Sequence, residues 1–340
     1  MHKQAILLIN LGSPDSPSVP DVKTYLDEFL MDPYVIDLSY LLRFAIVKGI
    51  ILNTRPKKSA EAYQTIWKPE GSPLIIISEQ LQAALSKKTD IPIGLAMRYG
   101  NPSIHDGIDA LVNQHPHLEK IIAVPLYPHY AMASTKTVIE KTNQVISEHF
   151  PQLSVDYVPP FYQHPEYIKA LSASINHHLP NNVDHLLFSY HGIPVRHVKK
   201  TDPTKKHCFK SKDCCMIPNS AAHAVCYPHQ IKRTTELVAQ HLPLRRDQWS
   251  WSYQSRLGTD EWLQPFTDKE FERLAKEGVK NLAVCCPAFV SDCLETIEEI
   301  GEEGKEIFKH HGGETFTLIP CLNTDDAWVD ALKQVIYNGL

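Results

Sequence analysis

Apolar runs of strand length alternate along this chain with segments whose apolar residues recur every three to four positions. The runs begin at Ala5, Ile93, Lys120 and Ser154, and again at His185, Trp251, Asn281 and Thr315. Between them lie helix-period segments such as Ser78 to Ser86, Ser103 to Asn113, Ser134 to His149, Gln230 to His241 and Asp268 to Glu277. This order predicts parallel βαβ units. The near-continuous apolarity of the runs fits strands covered on both faces.

The two halves echo each other at a spacing of about 160 to 180 residues, the signature of an internal duplication. Ala5 to Pro14 resembles His185 to Pro194, each ending in Gly-x-Pro, and Ile93 to Ser103 pairs with Trp251 to Glu261 through a shared Arg-x-Gly. Lys120 to Ser134 matches Asn281 to Asp292, and Ser154 to Leu171 matches Thr315 to Leu332. The expected fold class is α/β: two Rossmann-like, doubly wound domains, each with a four-stranded parallel sheet, over residues 1–178 and 179–340. Ligands of such sheets bind beyond the carboxyl ends of the strands, so the residues following each run are the functional suspects.

Three such places carry chemistry. His191 stands at the end of the fifth run, with Gly192 and Pro194 shaping the backbone after it. It is either a hydrogen-bonded structural histidine or a base. Glu295, Glu299 and Glu303 follow Asp292 at spacings that stack them on one helix face. They form either a solvated acidic face begun by a capping-box relative, or a row of hard oxygen ligands and proton carriers. Arg98, Tyr99, Tyr127, Ser134 and Trp262 fall beside other run ends. Singly each suits packing or loop structure; together they suit a large flat ligand bearing carboxylates, with Arg98 for the acid groups.

Composition narrows the classes. The chain has 340 residues, 43% hydrophobic, with 34 basic and 39 acidic side chains for a formal charge of −5. That balance argues against nucleic acid as a partner. No GxGxxG or Walker loop marks a nucleotide site. The start lacks the length and cleavage site of a signal peptide, so the eight cysteines are expected in a reducing cytoplasm. Four of them, Cys208, Cys214, Cys215 and Cys226, crowd a Lys- and Pro-rich insertion at about 202–228 and suit a zinc or iron–sulfur site better than free thiols. Cys285, Cys286 and Cys321 sit in strand-like runs and fit core packing. The apolar stretch 38–52, broken by Arg43 and Lys48, is too short to span a bilayer but could lie on one.

The segments LLINLGSPDSP, LYPHYAMAST, FSYHGIP, WLQPFTD and FVSDCLETIEEI together resemble the ferrochelatase family in its Gram-negative bacterial form. The resemblance runs along nearly the whole chain. It implies a class II chelatase-like fold and insertion of Fe2+ into protoporphyrin IX to give protohaem. By that resemblance His191 and Glu295 are the catalytic, iron-binding pair, and Asp292, Glu299 and Glu303 an acidic path. Leu11, Arg98, Tyr99, Tyr127, Ser134 and Trp262 match positions lining the porphyrin site, and 38–52 matches a lip that touches membrane in relatives, here the inner membrane. The four-cysteine insertion is similar to that of bacterial relatives holding a [2Fe-2S] cluster. The chain ends without the cluster-binding extension of the animal enzymes, from which a monomer is expected. Rival readings are a chelatase for another metal and tetrapyrrole, and a two-lobed haem or metal carrier that is not an enzyme.

Overall fold

The computed structural model describes residues 2–218 and 220–339. In chain order its elements are β1 (Gln4–Ser13), α1 (Val19–Leu30), α2 (Tyr40–Ile46), α3 (Leu52–Ile66), α4 (Pro73–Ser86), β2 (Ile93–Gly100), α5 (Ile104–Gln114), β3 (Lys120–Pro125), α6 (Thr137–His149), β4 (Ser154–Tyr157) and α7 (Pro165–His178). There follow β5 (His185–His191), α8 (Val195–Thr201), α9 (Tyr227–Ala239), β6 (Trp249–Gln254), α10 (Thr267–Lys276), β7 (Asn281–Cys285), α11 (Lys305–His310), β8 (Thr315–Leu318) and α12 (Asp326–Asn338). Three π-helical segments, Val47–Ile51, Met132–Lys136 and Glu295–Gly304, interrupt this alternation.

The strands form two four-stranded sheets, ordered β2-β1-β3-β4 and β6-β5-β7-β8, and every named pairing is parallel. Each echoing segment thus occupies the same place in its own sheet, as the duplication requires. Central strands are buried along their length: Ile6 to Ile9 and Leu186 to Phe188 are at most 1% exposed. That is why their sequences lack the alternation of a half-exposed strand.

The chain divides into two compact units, 1–126 with 132–159 and 323–340, and 127–131 with 160–322. This differs from a cut at 178/179. The helix after each edge strand leaves the unit of that strand, so α7 joins the second unit and α12 the first. In the first unit α12 meets α4; in the second α7 meets α9. An amphipathic helix buries its stripe against whichever surface its connection reaches, which local periodicity does not specify.

In the first unit, the stretch 38–52 buries Val47 and Leu52 but turns others outward, with Tyr40 61%, Leu41 79% and Ile50 61% exposed. Arg43, which breaks the run in sequence, folds inward instead, and its Nη1 donates to the Ile36 and Leu38 carbonyls at 3.2 and 2.8 Å. Lys48 pairs with Asp27. Among the described residues no helix is long and apolar enough to cross a membrane.

Candidate active site

The second unit carries the residues that matter most, because the exits of β5, β6 and β7 lie on one edge of its parallel sheet. His191 ends β5 and pairs in register with Gln254, the last residue of β6. Gly192 follows, and its N–H donates to the Gln254 carbonyl at 2.6 Å. A Cβ on Gly192 would stand 2.9 Å from both the Gln254 and Ser255 carbonyl oxygens, so no other residue fits this approach. The duplicated position has the same reason: a Cβ on Gly12 would stand 1.7 Å from the Tyr99 carbonyl oxygen.

This turn fixes the histidine tautomer. His191 Nδ1 lies 2.7 Å from the Gly192 carbonyl, which only accepts, so Nδ1 carries the proton and Nε2 keeps its lone pair. The backbone is held too, since the Tyr227 hydroxyl donates to the His191 carbonyl at 2.8 Å. The half-buried ring sits edge-on to Phe289, with centroids 6.3 Å apart.

The acidic file stands on the π-helical segment Glu295–Gly304, where an α-helix was expected. Its i→i+5 bonding widens each turn by a residue. Thr296 and Ile300 are buried on its inner side, at 0% and 2% exposure. Glu295 and Glu299 are half-buried and Glu303 is exposed, so the carboxylates run from the interior to solvent. Burial, followed by the Glu295 carboxylate, pushes the Glu299 pKa up to about 7; the Ser255 hydroxyl, donating to Glu299 at 2.5 Å, pulls the other way. Ser255 takes a left-handed backbone, φ 57°, to present that hydroxyl.

At three of the expected positions the structure shows side chains already engaged within the protein. Asp292 does not extend the file: it is 9% exposed, and its Oδ1 accepts from the Thr296 hydroxyl at 3.0 Å and the Cys321 N–H at 3.3 Å. It braces the start of the π-helix. Arg98, in the first unit, is not a spare cation for ligand carboxylates. Its Nη2 pairs with Asp32 and its Nε donates to Thr137 Oγ1 at 2.7 Å. Tyr99 is fully buried and donates to Asp32 at 2.9 Å. Asp32, with a side chain 1% exposed, is the hub that sequence reasoning missed; nothing in its segment distinguishes it.

The remaining positions are more open. Leu11 and Ser134 are half-buried in the first unit, and Tyr127 and Trp262 in the second. Trp262 is set by its indole N–H, which donates to the Leu257 carbonyl at 3.0 Å, and by an antiparallel bridge to Pro194.

In the insertion, Cys208, Cys214 and Cys226 are buried and Cys215 is half-buried. The Cys226 and Cys214 thiols act electrostatically on Cys215, and Cys226 on Cys208. The Cys226 thiol lowers Cys215 to about 6, while burial raises Cys208 to about 11. Among the described residues no three His, Cys, Asp or Glu side chains are already set at ligand geometry around one point. Cys285, Cys286 and Cys321 are buried in the core, as expected.

The family model for Ferrochelatase matches residues 3–340. The chain belongs to the ferrochelatase family. It is 50% identical to a ferrochelatase of Stutzerimonas stutzeri over 336 residues, 98% of each chain. It is 49% identical to one of Pseudomonas fluorescens, covering 98% of this chain and 97% of that one, and 46% identical to one of Pseudomonas entomophila over the full length of both. Among solved structures, SirB from Bacillus subtilis with Fe3+ superposes with a TM-score of 0.56 at 14% identity, over 99% of this chain and 95% of that one. A second SirB structure, a sirohydrochlorin chelatase in complex with cobalt, gives 0.54 at 12% identity. These two likenesses establish a shared chelatase fold, while ferrochelatase membership rests on the sequence relatives.

Proposed function

We propose that this chain inserts Fe2+ into protoporphyrin IX, with His191 as the base that removes pyrrole protons and Glu295 as its partner in receiving the metal. The observation that carries this reading is the His191 tautomer. Nδ1 is committed to the Gly192 carbonyl, which leaves the Nε2 lone pair for a proton.

Metal insertion exchanges two pyrrole N–H protons for one Fe2+, so two protons must leave as the iron enters. His191 Nε2 takes the proton nearest to it. The file from Glu295 through Glu299 to Glu303 gives protons a route outward. Glu299, poised at about 7, is suited to accept and release them at neutral pH, and the exposed Glu303 hands them to water. Trp262, Tyr127, Leu11 and Ser134 are the proposed contacts to the macrocycle. An aromatic wall that fits a puckered ring better than a flat one would lower the barrier by binding the strained form more tightly.

Following the change in visible absorption when the protein is given Fe2+ and protoporphyrin, with Co2+, Zn2+ and coproporphyrin in parallel, tests the reading. Iron insertion is expected. Turnover with another metal and tetrapyrrole alone would transfer the assignment to the rival chelatase; no turnover at all would leave a carrier.

We also propose that Cys208, Cys214, Cys215 and Cys226 hold a [2Fe-2S] cluster. The donor chemistry supports it: four soft thiols in one short insertion, Cys215 among them already inclined to ionise. Such a cluster would tie the insertion together as a cross-link. Purified protein is expected to be coloured, with acid-labile sulfide, and Cys226→Ser colourless. A colourless wild type containing zinc would assign the site to that metal instead.

The outward-facing Tyr40, Leu41, Phe44 and Ile50 support contact of a cytoplasmic protein with the inner-membrane surface, for which co-sedimentation with lipid vesicles is the measurement.

A further inference from the structure

We propose that Gln254 is a positioning residue that sets the Glu295 end of the acidic file relative to His191. The proposal rests on the roles assigned to His191 and Glu295 above. Gln254 touches both elements from one place. Its carbonyl accepts from the Gly192 N–H at 2.6 Å, directly after the histidine. Its side-chain Nε2 donates to the Glu295 backbone carbonyl at 3.0 Å, in the first turn of the π-helical segment. The base and the carboxylate stand on different strand exits, and Gln254 bonds to the backbone of each.

The amide cannot turn freely. Gln254 is 3% exposed, and its Oε1 accepts from the Ser189 hydroxyl at 2.7 Å and faces the Cys286 thiol at 3.7 Å. With Oε1 held there, Nε2 must face the Glu295 carbonyl, a pure acceptor. Ser189 is itself fixed by Thr267, 3.0 Å away, which is 2.8 Å from Ser252. A chain of buried hydroxyls, Ser189 on β5, Ser252 on β6 and Thr267 at the start of α10, therefore dictates which way the amide points. The neighbouring Ser255 grips Glu299 through its hydroxyl, so two consecutive residues hold the file, one by backbone and one by carboxylate. Both holds come from the end of β6 and the residue after it, which no spacing in the acidic motif reveals. The π-helix makes the brace necessary, because a single wide-turn segment is poorly stabilised by its own bonds.

The test is steady-state iron insertion by the full-length protein, with porphyrin affinity from fluorescence quenching and thermal midpoints alongside. Gln254→Leu removes the brace and fills the same space. Its kcat is expected to fall roughly 10–100-fold, since small misplacements of catalytic groups cost about that much, with KM for porphyrin near wild type and the thermal midpoint lowered only as far as two lost buried hydrogen bonds require. Ser189→Ala, which frees Oε1 and leaves Thr267 its bond to Ser252, should lower kcat about fivefold, the worth of one ordinary hydrogen bond. Because Ser189 acts through Gln254, the double variant should be no slower than Gln254→Leu alone. Additive losses, or a KM and thermal midpoint that move with kcat, would overturn the proposal in favour of a purely structural role. If Gln254→Leu does not fold, Ser189→Ala decides by itself: a kcat loss at unchanged midpoint supports the brace and wild-type kcat overturns it. A wild type that inserts no iron would instead refute the functional reading beneath.

Discussion

His191→Ala is expected to lower iron insertion by about 10²–10⁴-fold, the usual contribution of a positioned general base, while porphyrin still binds. The ring is half-buried, and its one recorded polar contact is to the next residue's carbonyl, so its removal strands no distant partner. The turn survives, because Tyr227 holds the backbone carbonyl and Gln254 the Gly192 N–H, neither through the imidazole. The Glu295 carboxylate, the proposed metal contact, remains without the proton acceptor. Porphyrin quenching should therefore give a dissociation constant close to wild type, and stopped-flow absorbance almost no metalation. Turnover within tenfold of wild type would strip His191 of its assigned role.

Glu299→Gln should stabilise the protein above neutral pH and slow it at the same time. Burial and the Glu295 charge raise the Glu299 pKa from 4.5 to about 7 in the folded chain. Below pH ~4.5 the group is protonated in both states and costs nothing. Between ~4.5 and ~7 the unfolded chain ionises first, so stability falls as pH rises, and above ~7 the full cost of up to about 3 kcal/mol is present. The glutamine is neutral throughout and its carbonyl still accepts the Ser255 hydroxyl. Denaturant midpoints should coincide near pH 4.5 and favour the variant at pH 8, while proton relay through position 299 is lost. A variant less stable than wild type at pH 8 would mean that Glu299 is ionised and paired in the folded state.

The duplicated fold was legible because two signals agreed. Buried central strands leave unbroken apolar runs, and duplication repeats them in order, with the Gly-x-Pro exits at Gly12 and Gly192 as landmarks. The two glycines are required in different ways, Gly12 by a positive φ of 109° as well as by close approach. Gly192 is required by the close approach of the Gln254 and Ser255 carbonyls rather than by an unusual φ. The spacing of Glu295, Glu299 and Glu303 correctly placed them on one face, but not on a π-helix. Side chains four apart stay neighbours in either helix, so spacing could not separate the two.

Arg98 and Tyr99 show the opposite case. Their types and their place after a strand suggested ligand contact, and only the fold revealed Asp32, 66 residues upstream of Arg98, neutralising the guanidinium. A buried charge needs a partner, and which residue supplies it is a fact of packing.

By itself, then, the amino-acid order determined the succession of strands and helices, the duplication, the histidine at a strand exit, the acidic file and the cluster of thiols, because all of these are local patterns of polarity and residue type. Tertiary structure alone decided which helix joins which unit, which nitrogen of His191 is free, which carboxylates are spent on structure, and that Gln254 bonds the histidine's turn to the file. Those depend on groups distant in sequence meeting at distances near 3 Å, where hydrogen bonds either form or do not.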